Sequence, residues 1–151
     1  MAKFVYKMQN ILDIKNKLET QEKTAFAIEM QKLRTEEERL ERIRNEINYY
    51  EELIRGQGDN RINILEWKRC NEALEYKKNE EKVQIQHVKL AEKNVDIARG
   101  RLNKVMVERK TQEVLKEKAF EEFLQEEKAA ESKEIDELTS YTYGLKTDDG
   151  R

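Results

Sequence analysis

His87 and Cys70 are the only imidazole and the only thiol in the chain. A multi-histidine metal site within one chain is therefore impossible, and a lone cysteine makes neither an internal disulfide nor a zinc site. No His-Glu-x-x-His, Cys-x-x-Cys, Gly-x-Ser-x-Gly or glycine-rich phosphate loop occurs. The 26 Glu residues supply carboxylates in abundance. Catalysis, however, needs groups that converge in a site shielded from water. Mixed with lysine and arginine, these carboxylates read as a solvated helical surface, Glu36-Glu37-Glu38 included. The expectation is no enzyme, no catalytic or metal-binding residue and no cofactor. His87 reads as a surface or seam-flanking residue, with a pH switch as the lesser alternative. Cys70 reads as a small hydrophobe at a seam, with a reactive thiol as its alternative.

Recognition rather than catalysis is then the chemistry to look for. Lys and Arg total 30, Asp and Glu total 32, and the net charge is −2. Without a concentrated positive surface, nucleic acid is not the expected partner. No run of about 18 apolar residues exists, so no membrane span is expected. Met1-Ala2-Lys3-Phe4 lacks a signal-peptide apolar core, which makes the cytosol the default location. Proline is absent and there are 5 glycines. Ala, Glu, Lys, Arg and Leu together make up about half of the chain, the composition of a coiled coil or long helix.

The one strong punctuation is Arg55-Gly56-Gln57-Gly58-Asp59-Asn60, a helix stop, a short loop and a new start. Asn63 and Asn60 compete as the next N-cap. This predicts a helix over about 2–55, a loop over about 56–60, a helix over about 61–143 and a flexible tail at 145–151, with 1–144 as a single unit. Gly144 is the expected stop of the second helix. Gly100 lies inside that helix, either to admit a close neighbour or simply tolerated.

Phe26, Leu33, Leu40, Ile47 and Ile54 recur at every seventh position. Phe4, Ile11, Leu18 and Ala25 do the same one residue out of register, which reads as a slip in the supercoil. Val88, Ala91, Val95, Ala98, Leu102 and Val105 alternate steps of three and four, an a/d seam. A short loop makes the two helices antiparallel neighbours. The fold class expected is all-α, two long helices forming an antiparallel coiled-coil hairpin. At 1.5 Å per residue the arms measure roughly 80 and 120 Å, leaving an overhang of roughly 30–40 Å on the second helix.

That overhang carries Val114, Leu115, Phe120, Phe123, Leu124, Ile135 and Leu138. These either touch the N-terminal turns or form a docking surface. Near the loop, Trp67, Asn71, Leu74 and Lys78 form one helical stripe. Trp67 either packs on Leu53 or Ile54 or anchors a partner, since tryptophan is a favoured hot-spot residue. Tyr49-Tyr50 is placed to pack on the same end, and Tyr141 and Tyr143 close the long helix.

The opening Phe4-Val5-Tyr6-Lys7-Met8-Gln9-Asn10-Ile11-Leu12-Asp13-Ile14-Lys15, continued by Lys17-Leu18-Glu19, resembles the start of the flagellar export protein FliJ family. There an aromatic-x-aromatic pair precedes an apolar-x-x-apolar-Leu-x-x-Lys/Arg run. Glu131-Ser132-Lys133-Glu134-Ile135-Asp136-Glu137-Leu138 resembles the family's Lys-x-x-Asp-Glu segment. The resemblance covers nearly the whole chain. It implies a soluble, cytoplasmic, non-enzymatic stalk of flagellar type III protein export, peripheral to the membrane at the flagellar basal body. Its terminal end would insert into the export ATPase hexamer and promote ring assembly. Its loop side would contact the cytoplasmic domain of the export gate, and the chain would also bind export chaperones. The family's gate-contacting positions fall on Trp67, Asn71, Leu74 and Lys78; Asn71 and Lys78 depart from the apolar and imidazole types of the family. The ATPase-ring contact implied by the terminal end comprises Phe4, Ile11, Phe120, Phe123, Leu124, Ile135 and Leu138. The alternatives are a holdase-type coiled-coil chaperone and a generic coiled-coil adaptor, the latter as a parallel homodimer.

Overall fold

Without proline, every residue keeps the amide hydrogen that a helical hydrogen-bond ladder needs. The computed structural model describes residues 2–57 and 63–149, and the elements among them are two helices. Helix α1 spans Gln9–Gln57 and helix α2 spans Ile64–Asp149. They pack against each other as a hairpin. The pairing is antiparallel: Lys15 meets Glu108 at 2.7 Å, Glu36 meets Gln84, and Glu46 meets Lys77 at 2.5 Å, so numbers rise on α1 as they fall on α2. The all-α antiparallel hairpin is therefore present within one chain, which is not the parallel-dimer arrangement.

Asn63 caps α2. Its Oδ1 accepts from the Leu65 amide at 3.2 Å, and its carbonyl accepts from the Trp67 amide at 3.0 Å. These bonds satisfy donors that a helix start leaves without partners. The rival cap Asn60 and the loop residues 58–60 lie outside the described residues. Gly56 and Gln57, expected in the loop, belong to the last turn of α1. At the other end α2 does not stop at Gly144 but continues to Asp149. No described glycine has positive φ, so Gly144 does not take the left-handed conformation that ends a helix. Residues 145–149, expected in a flexible tail, are thus helical, and residues 150 and 151 lie outside the described residues.

The first helix begins at Gln9 rather than near residue 2. Phe4, Val5 and Tyr6 are poor helix formers, and no Ser, Thr, Asp or Asn precedes them as a cap. Instead they follow a period of two. Phe4 is half-buried, Val5 is exposed and Tyr6 is buried. This alternation is that of an extended segment, in which positions i and i+2 share a face.

The chain forms two compact units. In the first, Met1–Glu19 with Val105–Arg151, the buried side chains among the described residues are Tyr6, Leu12 and Glu19. Ile11 is 40% exposed and Leu12 only 5%. The row expected through Phe4, Ile11, Leu18 and Ala25 is therefore corrected by one residue. The buried row is Leu12 and Glu19, in the same seven-residue register as Phe26, and no slip exists. Glu19 disguised it. Its carboxylate contacts the Arg109 guanidinium, which also bonds Glu113 at 2.8 Å. The hydrogen bond to Glu113, with the charges of Glu113 and Glu19, holds Arg109 above the usual arginine range.

In the second unit, Thr20–Lys104, Leu40, Ile43 and Ile47 of α1 are buried, as are Val88, Ala91, Val95 and Ala98 of α2. Seven residues before Ala91 the row holds Gln84, also buried. Gln84 Nε2 donates to the Glu36 carbonyl at 2.9 Å and to its carboxylate at 2.5 Å. Seven residues earlier stands Lys77. Hydrogen bonds from Glu46 and Glu80 hold its ammonium above the usual lysine range. Both seams thus run through polar residues, each held by an ion pair or a hydrogen bond.

Gly100 admits no close neighbour: a Cβ there would meet nothing within 4 Å. It is a tolerated glycine in an exposed stretch of helix. Gly100→Ala is expected to stabilise the chain by about 0.5–1 kcal/mol, read as a higher melting temperature; an unchanged or lower one would refute this account.

Candidate functional site

The side chains expected to meet partners fall in two places, one in each unit. Near the loop, Trp67 is 46% exposed and Lys78 is exposed, while Asn71 and Leu74 are half-buried. The stripe is two half-rows. Trp67 and Leu74 are one heptad apart and lead into the row of Glu81 and Val88, so Leu74 belongs to the seam. Asn71 and Lys78 are likewise one heptad apart. Asn71 Nδ2 donates to the Trp67 carbonyl at 3.0 Å, which occupies its amide with its own helix. Tyr49 and Tyr50 pack edge-on, with ring centroids 5.5 Å apart.

At the terminal end, Phe4 packs on Phe120 with centroids 5.2 Å apart and on Phe123 at 5.5 Å. Tyr6 donates its hydroxyl to Gln112 Oε1 at 3.0 Å. The aromatic-x-aromatic pair is thus a clasp, two rings on one face of a non-helical segment laid along α2. Of the two alternatives open for Phe120 and Phe123, contact with the N-terminal residues is the one observed. Leu115 and Phe123 line an open groove beside the same segment. Ile11 and Leu124 remain more than one-third exposed.

Beyond residue 127 the helix turns to water on all sides of its next five turns. Every residue from 128 to 145 is exposed. Within that stretch Ile135, Leu138, Thr142 and Leu145 follow steps of three, four and three, one continuous face. Ile135 is 61% and Leu138 59% exposed, and with Thr139, Thr142 and Tyr143 they border a shallow trough.

His87 is exposed and Cys70 half-buried. Among the described residues no cluster of His, Cys, Asp or Glu could hold a metal ion, and no helix is long and apolar enough to cross a membrane. One feature escaped the sequence reading. Tyr76, Val83, Leu90 and Ile97 are all exposed and recur at every seventh position of α2. The signal was in the spacing, hidden because the adjacent seam of Val88, Ala91, Val95 and Ala98 absorbs the same stretch.

A family model described as Flagellar FliJ protein matches residues 4–147. No match was found among curated proteins or among solved structures. The matched span takes in the Phe4–Tyr6 clasp, helix α1, nearly all of helix α2 and its exposed terminal face through Leu145. The chain belongs to the FliJ family, non-catalytic components of flagellar protein export.

Proposed function

We propose that the chain is a stalk joining the flagellar export ATPase hexamer to the cytoplasmic domain of the export gate, acting in the cytoplasm at the inner face of the membrane. Export chaperones are its further partners. The observation that carries this reading is the terminal stretch of α2, exposed from residue 128 to 145. A single helix is about 10–12 Å across with its side chains, narrow enough for the central hole of a ring. Its apolar face of Ile135 and Leu138, flanked by Leu124, offers ring subunits something to close upon. Contacts that differ from subunit to subunit bias their conformations without any chemistry in the stalk.

The test is ATP hydrolysis by the cognate export ATPase, titrated with this chain, with ring formation followed by electron microscopy. Stimulation that saturates near one chain per hexamer, with more rings, is the expected result. An unchanged rate and no binding, with the ATPase otherwise active, would leave the holdase reading. A holdase would suppress aggregation of unrelated substrates with no ATPase present.

At the loop side the gate contact is Trp67 with Asn71, Leu74 and Lys78. Trp67→Ala is expected to weaken binding of the gate domain about tenfold or more, as loss of a hot-spot aromatic does, while the melting temperature changes little. A large fall in melting temperature with binding intact would return Trp67 to packing within the hairpin.

A further inference from the structure

We infer that residues 3–8 are a two-state segment, an extended strap at rest that rewinds as nearly two further turns of α1 and so exchanges the side chains it lays on α2. The inference lies wholly within the first unit and is independent of the stalk reading. On α2, Arg109, Gln112, Lys116, Ala119 and Phe123 follow steps of three and four, and all of them are half-buried. That is an a/d seam, which a partner helix is shaped to fill. Yet α1 begins only at Gln9, and it is the strap that lies on this part of the seam, through Phe4 on Phe123 and Tyr6 on Gln112. An extended segment fills the place of a helix incompletely. Phe4 borders two open grooves, one of about 600 Å³ with Val5, Met8, Leu115 and Ala119, the other of about 440 Å³ with Leu12, Lys116 and Phe120.

The segment carries two patterns at once. Read by twos, Phe4 and Tyr6 turn inward and Val5 and Lys7 outward. Read by sevens, Val5 falls in the row of Leu12 and Glu19, and Met8 in the row of Lys15. Both rows face α2: Leu12 and Glu19 are buried, and Lys15 pairs with Glu108. Val5 is 74% and Met8 47% exposed in the strap, so two apolar side chains are held off the seam whose register they match. In the helical form they would enter the groove that they now border with Leu115 and Ala119. Phe4 would turn to the outer flank, one heptad before Ile11, and leave Phe120.

Nothing local fixes the start of α1 at Gln9. The Met8 carbonyl accepts from the Leu12 amide at 3.1 Å, which puts Met8 at the cap position, and methionine is not a capping residue. The Gln9 side chain bonds forward, to Asp13 at 2.9 Å. The turn itself is closed by three-residue bonds, from the Gln9 amide to the Tyr6 carbonyl at 3.2 Å and from the Ile11 amide to the Met8 carbonyl at 3.0 Å. The start is therefore set by the hold of the strap on α2, through the Phe4 ring and the Tyr6 hydroxyl. Two aromatic rings bury more area than Val5 and Met8 would, which makes the strap the resting form. The helix regains main-chain hydrogen bonds and a continuous seam, which keeps the second form close in free energy. The strap thus holds Phe4 on Phe120, and rewinding presents both rings.

The test is NMR of the full chain, with the helix content of residues 5–8 read from Cα chemical shifts. Phe4→Ser with Tyr6→Ser frees the strap without raising helix propensity. Residues 5–8 are then expected to pass from non-helical to more than roughly half helical. Adding Val5→Thr and Met8→Gln keeps propensity and approximate shape but removes the apolar contact, and should at least halve that helix. Val5→Leu with Met8→Leu, in a chain that keeps both rings, should raise the helical fraction of the segment several-fold. Both positions face water in the strap, so a segment with the extended form alone predicts no change there. The seam from Leu12 onward is untouched in every variant, and the melting temperature checks it. Should the serine pair unfold the hairpin, the leucine pair decides. A serine pair that leaves residues 5–8 without helix, a helix indifferent to Val5→Thr and Met8→Gln, or a leucine pair without effect would each overturn the inference.

Discussion

Ile135→Asp combined with Leu138→Asp is expected to abolish stimulation of the export ATPase while leaving the helicity and melting temperature of the chain where they were. Both side chains are more than half exposed, and no residue from 128 to 145 is covered by the rest of the chain. Their change therefore costs the fold little. In a ring the same two side chains would be withdrawn from water. Burial of one Leu or Ile is worth about 1.5–3 kcal/mol, so losing two removes on the order of 3 kcal/mol or more, roughly a hundredfold in affinity. Aspartate adds the cost of desolvating a carboxylate with no partner. Phe4, Phe120 and Phe123 are poorer choices for this test. They hold the N-terminal segment on α2, and truncating them mixes a folding loss with a binding loss. Stimulation that survives the double aspartate would remove the lone helix face from the ring contact. Stimulation lost together with melting temperature would show that the face packs within the chain.

The hairpin was legible because its signals are local and redundant. An absence of proline, one pair of close glycines and a seven-residue recurrence all point to the same two helices. Asn63 as a cap was legible for the same reason, since capping is decided within one turn. What the sequence concealed is where polar residues occupy seam positions. Glu19, Gln84 and Arg109 each sit where periodicity asks for an apolar side chain, and each is acceptable only because a residue far along the chain supplies its partner. Periodicity cannot report such a partner, so Ile11 displaced Leu12 in the reading of the first helix. The start of α1 failed differently. Phe4 was read with a helical period, whereas it lies before the first helix, in a non-helical segment where Phe4 and Tyr6 turn inward and Val5 outward. The terminal face was visible as composition, but the part that the N-terminal segment covers and the part it leaves bare depend on that same clasp. Gly144 shows the limit of punctuation: glycine ends a helix only where the backbone takes positive φ, and here it does not.

The register correction itself makes a sharp prediction, because adjacent residues exchange roles under it. Leu12→Ala is expected to destabilise the chain by roughly 2–3 kcal/mol, the lower part of the range for a buried leucine. The lower part applies because a two-helix seam can close partly over the gap. Ile11→Ala, at a side chain 40% exposed, should cost well under half as much. For a chain of this size each kcal/mol moves the melting temperature by about 2–4 °C, so the two variants should separate by several degrees in circular dichroism melts. The slipped register predicts the reverse order, with Ile11 the costly position. A second measurement guards against loss of fold. Glu19→Leu with Arg109→Leu replaces the ion pair by two apolar side chains in the same row, and exchanging a paired buried charge for packed hydrophobes is commonly neutral or stabilising. If the buried row is Leu12 and Glu19, that double variant stays folded and melts no lower than the parent, whereas Glu19→Leu alone melts lower because Arg109 loses one of its two carboxylate partners. A double variant that unfolds would mean that Glu19 and Arg109 are held apart from the seam, and the register of the first helix would have to be redrawn from Leu18.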